Sequence, residues 1–295
     1  MEELGMDRGF ADLHTHTIAS DGMLTPSGNV RLAQAAGLAA VAITDHDTVS
    51  GVAEAVEEGR SIGLEVVPGV EISTSARGQD IHVLGYFIDT LDPLLLDRLE
   101  QLREVRKRRN DALIEKLQTC GFELTMDEVI ANIGRELKPD ESVGRPHIAA
   151  LLVKRGYVGS LEEAFSDYLG KGGKAYVNAP RIEPAEAIRW IHEAGGSAVL
   201  AHPGLYADDE LVERIAEAGL DGIEAYHADH SAEDAGRYEQ IASRFGLLVT
   251  AGSDFHGERD GIVFHSPLGS RKIAMSAVDA LREKAASRKH GRDDR

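Results

Sequence analysis

The stretch LAAVAITDHD, Leu38 to Asp47, is an apolar run of strand length that ends in three consecutive ionisable residues. Its entrance matters as much as its exit. Thr25-Pro26 can cap and start a helix, that helix ends at Ala35-Ala36-Gly37, and the strand follows at once. The same phrase recurs along the chain. VAEAVEEGRSIG leads into LEVVPGVE, ending on Glu71, and EPAEAIRWIHEAGG leads into SAVLAHP, ending on His202. DELVERIAEAG leads into LDGIEAYH, ending on Glu224 and His227, and EDAGRYEQIASRFG leads into LLVTAGSDFH, ending on Asp254 and His256. Helix alternating with an apolar strand indicates an α/β protein whose parallel strands are buried on both faces. In a β/α barrel, residues remote in sequence converge at the carboxyl ends of the strands. An open doubly wound sheet gathers function only near its switch point. So many decorated strand ends predict a closed or nearly closed barrel.

The first strand-like run, FADLHTHTIASDG from Phe10 to Gly22, carries His14 and His16 two residues apart. On a strand both imidazoles point the same way and can reach one ion. Alone the pair is a weak signal, and Ser20-Asp21-Gly22 is a natural turn. Asp45-His46-Asp47, Glu71, His82, His202, Asp254 and His256 each have an ordinary reading as a cap, a turn residue or a satisfied polar group. Gathering all of them at one rim is unfavourable unless something pairs them, and divalent cations would. The sequence therefore predicts a multinuclear metal site. Imidazole and carboxylate without sulfur suit Mn²⁺, Fe²⁺ or Zn²⁺.

The repeating phrase breaks between Leu91 and Pro180. DPLLLDRLEQLREVRKRRNDALIEKLQTCG reads as one long helix, with shorter helices around Met126–Ile133, His147–Lys154 and Leu161–Leu169. This predicts a discontinuous barrel (10–90 and 181–285), a helical insertion (91–180) over its mouth, and a frayed polar tail (286–295). Helical phasing of the long segment places Leu99, Leu102, Arg106, Arg109, Asn110, Leu113 and Leu117 on one stripe. Arginine within an apolar stripe is costly unless paired or facing a ligand. A solvated charge run lying over apolar surface is the plainer reading. Contact with phosphate is favoured, because a planar guanidinium holds phosphate oxygens in pairs. Ser142-Val143-Gly144-Arg145-Pro146-His147 then opens a helix, and helix starts bind anions.

Composition narrows the function classes. With 295 residues and 42% hydrophobic content, the chain can bury one large core and carry an insertion. Thirty-two basic residues against 50 acidic ones leave a net charge of −18, which repels membranes and long duplex nucleic acid. An anionic ligand must meet a local basic cluster or bound cations. Cys120 is the only cysteine, which excludes an intramolecular disulfide and a thiolate metal cluster. MEELGMDRG lacks the pattern of a secretory signal, and no apolar run nears the ~18 residues of a membrane span. A soluble, cytoplasmic protein is expected.

HTHTIASDG, ITDHD, GVEIS, IHVLGYF, AHP and GSDFH, in this order, resemble the motifs of the PHP family, named for polymerase and histidinol phosphatase. The resemblance covers nearly the whole chain, insertion included. It implies a distorted seven-stranded (β/α)7 barrel and a metal-dependent phosphoric ester hydrolase carrying three divalent ions, Mn²⁺ foremost. Carried over residue by residue, it implies that His14, His16, Glu71 and Asp254 hold the first ion. Glu71 would bridge to a second, completed by His82 and His202, and Asp21, His46 and His256 would hold the third. Asp21 is an acid in the nucleotide-acting branch and a histidine in histidinol phosphatases, which argues against histidinol phosphate. Arg145 and His147 match the segment that approaches a nucleotide's second phosphate. His227, at a strand end, is the candidate to donate to phosphate or to protonate the leaving oxygen. Asp12, Asp45 and Asp47 are expected either to accept from ligating imidazoles or to serve as turn residues.

Cations about 3.5–4 Å apart share and activate a water. The expected reaction is in-line attack on phosphorus by hydroxide bridging the Glu71-linked pair, with no serine or cysteine nucleophile. The expected substrate is a 3′,5′-nucleoside bisphosphate losing its 3′-phosphate, with short RNA 5′ ends as a related class. The same machinery could open a small cyclic phosphate such as a phosphoribosyl 1,2-cyclic phosphate. More remote readings are a non-catalytic or proofreading PHP module and an amidohydrolase. The latter lacks the lysine or extra acid that would organise its metal pair.

Overall fold

A computed structural model of the chain describes residues 9–259 and 262–293. The amino-terminal segment read above for a secretory signal lies largely outside them. β1 (Phe10–Asp12) precedes α1 (Pro26–Ala35), whose first turn is capped by Thr25 accepting from Gly28 N–H at 3.0 Å and which begins on Pro26. β2 (Ala40–Ile43) follows, buried at every position. α2 (Val52–Ile62) stops at Gly63, whose φ of 76° only glycine adopts freely. Next come β3 (Glu65–Ala76) and β4 (Gln79–Tyr86). A run of helices follows: α3 (Pro93–Thr119), α4 (Met126–Ile133), α5 (Arg145–Lys154) and α6 (Leu161–Ala164), the last continuing as a π turn through Leu169. Alternation then resumes with α7 (Pro184–Glu193), β5 (Ser197–Leu200), α8 (Asp209–Glu217), β6 (Gly222–His227), α9 (Ala232–Phe245) and β7 (Leu248–Gly252). The short hairpin β8 (Gly257–Arg259) and β9 (Ile262–Phe264), then β10 (Ile273–Ala274) and α10 (Met275–Asp293), complete the order. α10 continues through 286–293, where the sequence suggested a frayed tail.

The main sheet runs β10-β1-β2-β3-β4-β5-β6-β7. Beyond β1 the chain returns to the far edge. Leu13 N–H donates to Ala251 O at 3.0 Å, Asp254 N–H to His14 O at 2.9 Å and His16 N–H to Phe255 O at 2.9 Å. These bonds bring the last strand back onto the first and make the sheet a nearly closed barrel. Two strands depart from the parallel pattern expected of the recurring phrase, β10 at the edge, antiparallel to β1, and β4 within the sheet. β4 is antiparallel to both β3 and β5, joined to β3 by a two-residue turn at Arg77 (φ 49°) and Gly78 (φ 72°). The reversal decides where His82 sits. Its place near the start of β4 lies at the same rim as the ends of the parallel strands.

The core falls into connected layers. Val70, Ile72 and Ile81 of β3 and β4 pack with Ile188 and Ile191 of α7 and with Leu95, Leu99 and Leu102 of α3. Leu13, Leu84, Tyr86 and Val199 pack with Met275, Val278 and Leu281 of α10. The second half of α3 belongs to another cluster, in which Leu113 and Leu117 meet Val129, Ile148, Leu152 and Leu169 of the helical run. Arg106, Arg109 and Asn110 lie between these two halves and are themselves buried.

Candidate metal centre

The rim gathers side chains from every part of the barrel. Glu71, 1% exposed near the middle of β3, is the hub. Its carboxylate lies 2.8 Å from His82 Nδ1, 2.9 Å from His46 Nδ1, 3.1 Å from His202 Nε2, 3.3 Å from His16 Nε2 and 3.4 Å from His14 Nε2. Asp254 Oδ1 is 3.1 Å from His16 Nε2 and 3.3 Å from His14 Nε2. Asp21 is 3.4 Å from His256 Nε2 and 3.8 Å from both His46 Nε2 and His16 Nδ1. His16, Asp21, His46 and His256 form one group able to hold an ion, and the trios His14–His16–Asp254, His14–Glu71–His202, His46–Glu71–His82 and His14–Glu224–His227 are others. All nine residues expected to ligate are thus brought together at one rim.

Local backbone geometry serves this convergence. Asp47, His202, Asp254 and His265 have positive φ (55°, 28°, 54° and 59°), an unusual conformation that turns each chain at the rim. Gly252 lets the end of β7 pass against the site. A Cβ there would lie 2.2 Å from His14 Cβ and 2.5 Å from Glu224 Oε1.

The hydrogen bonding is conspicuously incomplete. His14 Nε2, His16 Nε2, Asp21 Oδ1, Glu71 Oε2, Asp254 Oδ1 and His227 Nε2 are buried without a hydrogen-bond partner among the described residues. His46 Nδ1 is 2.9 Å from Glu71 without the alignment of a hydrogen bond. Buried polar atoms are normally satisfied, so orphans aimed at one another mark a place for something else. Lone pairs of imidazole and carboxylate fit a cation. The electrostatics agree. Burial raises the pKa values of Asp21, Glu71 and Asp254, but neighbouring imidazoles outweigh it and hold all three well below the usual carboxylate range. Burial pushes His46 and His202 down to about 4, so both are neutral donors. Burial also opposes charge on His16, yet Asp254 and Glu71 lift it to about 10. The proton it carries is one that a cation would displace.

Residues around the cluster sort differently from the sequence reading. Asp12, Asp45 and Asp47 accept no imidazole proton among the described contacts. Asp12 takes the N–H groups of Ser253 and Gly269, Asp45 takes Thr17 and Ser20, and Asp47 takes Ser73 N–H and Arg106. The imidazole acceptor is Glu224, fully buried, at 3.1 Å from His14 Nδ1; it also accepts from His202 N–H at 2.9 Å. The sequence placed Glu224 at a strand end without a role. His227 Nδ1 accepts from Asp229 N–H at 3.2 Å, which leaves Nε2 to carry the proton, 3.5 Å from Asp254 Oδ2. His230 donates to Ala225 O and accepts from Gly204 N–H, a structural pairing. His265 stands 3.4 Å from Asp254, which raises its pKa to about 8.

The basic residues converge beside the rim. Arg106 donates to Asp47 Oδ2 and Ser73 Oγ, each at 2.6 Å. Arg145 and Arg181 share Asp80, each at 3.0 Å. Arg109, 4% exposed, bonds to Asn110 Oδ1 at 2.8 Å, and its Nε has no partner among the described residues. Burial and then the charges of Arg106, Arg145 and Arg181 hold its pKa well below the ordinary value. A small cavity touches Arg106, Arg109, Arg181 and Ser73. Asn110 also holds Val143 O at 2.9 Å, and His147 Nδ1 accepts Gly144 N–H at 3.0 Å, capping α5. Arg181 and its partner Asp80 went unnoticed in the sequence, since neither belongs to a helical stripe or a strand-end phrase.

A nearly closed α/β barrel with imidazoles and carboxylates converging on one rim defines a metal-dependent hydrolase. The PHP domain family matches residues 12–198. The 5′-3′ exoribonuclease of Haemophilus influenzae is 35% identical over 250 residues, covering 83% of this chain and 89% of that one. The 3′,5′-nucleoside bisphosphate phosphatase of Chromobacterium violaceum is 36% identical over 255 residues, covering 85% and 88%. A crystal structure from Bifidobacterium adolescentis, its protein assigned as a metal-dependent phosphoesterase, superposes with a TM-score of 0.84 at 33% identity, covering 93% of this chain and 96% of that one. The chain belongs to the PHP family. It is a metal-dependent phosphoesterase.

Proposed function

We propose that the rim holds three divalent cations, Mn²⁺ foremost, and that the enzyme removes the 3′-phosphate from a 3′,5′-nucleoside bisphosphate. The observation that carries the metal reading is the set of buried nitrogen and oxygen atoms on His14, His16, Asp21, Glu71 and Asp254 that have no hydrogen-bond partner among the described residues. His14, His16, Glu71 and Asp254 would hold one cation, Glu71, His82 and His202 a second, and Asp21, His46 and His256 a third. Bound there, such ions supply an activated water and neutralise charge on phosphoryl oxygens. Donor type admits Fe²⁺ or Zn²⁺ as well.

The chain's own groups supply the rest. Glu224 fixes the ring of His14 through Nδ1, so that Nε2 faces the cluster. His227, with Nδ1 occupied by Asp229 N–H, presents Nε2–H toward the site and would donate to phosphate or to the leaving oxygen. A second phosphate would lie among Arg106, Arg109, Arg145 and Arg181. Asp47 and Asp80 are the carboxylates paired with this group, and Arg109 has no acid of its own among the described residues. An incoming dianion would compensate the excess positive charge in a chain whose net charge is otherwise −18. Asn110 and His147 would keep Arg145 in place by holding the turn before α5. The similarity to a bisphosphate phosphatase and to an exoribonuclease supports a nucleotide with more than one phosphate, and short RNA 5′ ends belong to the same class.

The test is a side-by-side assay of Mn²⁺-loaded enzyme on a 3′,5′-nucleoside bisphosphate, a 5′-phosphorylated short RNA and a five-membered cyclic sugar phosphate. Inorganic phosphate released fastest from the bisphosphate is the expected result. Faster ring opening of the cyclic diester would overturn the substrate assignment.

A further inference from the structure

The loop Thr17–Gly22, which carries Asp21, is held on its barrel side by Asp45. Asp45 accepts from Thr17 N–H at 2.8 Å, Thr17 Oγ1 at 2.7 Å and Ser20 Oγ at 2.6 Å. Its other side is held by the helical run. Arg135 donates through Nη2 to Ile18 O, and its Nη1 pairs with Glu141 at 2.5 Å. Ser142 N–H donates to Ala19 O at 2.9 Å. Asn110 of α3 grips Val143 O from behind, and a Cβ on Gly144 would lie 2.6 Å from Asp21 Oδ2. The loop carrying His46 is tied to the same region, with Thr48 Oγ1 donating to Asp140 O at 2.6 Å and Arg103 to Asp47 O at 2.9 Å. Glu71 and His82 lie on paired strands, and His202, two residues beyond β5, is held by its N–H donating to Glu224 at 2.9 Å.

We infer that the strip Ser142-Val143-Gly144, with Arg135, is the positioning device for Asp21, so that the helical run completes the Asp21–His46–His256 position. The inference rests on the reading that this trio holds a cation. The physical reason is that Asp21 has no hydrogen-bond partner on Oδ1 among the described residues and stands 3.4–3.8 Å from three imidazoles. On the barrel side these imidazoles are what its carboxylate meets among the described residues. The bare Cα of Gly144 is the wall that limits where it can point. A methyl group there would meet Asp21 Oδ2 most closely, with Pro146 Cδ at 3.1 Å and Asp21 Cβ at 3.3 Å behind it, side-chain atoms in each case, so it disturbs the cation position more than the fold.

The experiment measures Mn²⁺ bound per chain by elemental analysis and stepwise affinities by competition with a chelating dye. It compares the wild type with Asp21→Asn, Gly144→Ala, Arg135→Ala, the double variant Asp21→Asn/Gly144→Ala, and Arg155→Ala as a control within the helical run but remote from the loop. Gly144→Ala and Arg135→Ala should each weaken one cation by about tenfold or more and leave the others unchanged. The double variant should bind as Asp21→Asn alone does, because both changes act on one position. Arg155→Ala should bind like wild type. Wild-type affinities in both Gly144→Ala and Arg135→Ala, with one cation weakened in Asp21→Asn, would overturn the positioning role. Should Gly144→Ala fail to fold, Arg135→Ala decides. Unchanged binding in Asp21→Asn itself would instead refute the assignment of the trio.

Discussion

Gly252 occupies the tightest place in the site, with His14 Cβ and Glu224 Oε1 both inside the space a side chain would need. Gly252→Ala should destabilise the protein by about 1–3 kcal/mol through overpacking, read as a lower urea midpoint. A midpoint equal to wild type would mean that β7 can shift freely. Glu224→Gln keeps the shape but withdraws the charge beside His14 Nδ1. Metal affinity should fall about 10- to 100-fold in chelator competition, whereas an unchanged affinity would reduce Glu224 to a packing role. At this scale much was legible in the sequence. His46, Glu71, His202, Asp254 and His256 could be picked out because apolar strands lead into them, the full set of nine is what the family resemblance implies, and the structure gathers all nine. The partners of those residues could not. Asp12, Asp45 and Asp47 stood nearer in sequence to the histidines than Glu224 does, yet they serve backbone, hydroxyl and Arg106 donors. Which carboxylate faces which ring depends on how strands remote in the chain are juxtaposed, and spacing along one strand does not reveal that.

α3 shows what periodicity tells and what it omits. The stripe Leu99, Leu102, Arg106, Arg109, Asn110, Leu113 and Leu117 is buried throughout, as its phasing indicates. Its two halves face different cores, and the arginines fill the seam, where Arg106 pairs with buried Asp47. Phasing identifies a buried face without saying what lies opposite it. Arg106→Ala leaves Asp47 without this partner and should cost about 3–5 kcal/mol in urea unfolding. A loss under about 1 kcal/mol would show that Asp47 finds another donor, Arg103 being nearest at hand. β4 is the other element whose direction was hidden. The turn Arg77-Gly78 lacks the Asn-Gly or Asp-Gly pair that most strongly signals a hairpin, so its antiparallel course could not be read from the residues.

For the molecule as a whole, acid stability depends in part on Asp221, which ties α10 to the barrel. It accepts from Arg288 at 2.7 Å, His192 at 2.9 Å and Ala198 N–H at 2.9 Å. Burial pushes Asp221 up, but these hydrogen bonds outweigh it and leave its pKa below the ordinary 3.8. The folded state therefore binds this proton less tightly than the unfolded state. The stabilisation is present above about pH 4 and is lost as pH falls through the lower folded value. Asp221→Asn should flatten the fall in stability below about pH 4, measured as urea midpoints across pH; an unaltered slope would place the acid sensitivity elsewhere.

The fold class and the metal rim were legible because both rest on one repeated pattern, a strand ending in a ligand-type residue. The seating of the helical run was not, because it depends on contacts between loops. The claim on which the account depends is that Glu71 joins two cations within this rim. Elemental analysis of Mn²⁺-loaded wild type and Glu71→Ala, with phosphate release assayed on the same samples, tests it most directly. Three ions per chain in the wild type, one in Glu71→Ala, and loss of nearly all turnover in the variant is the expected result; an equal metal content in the two proteins would contradict it.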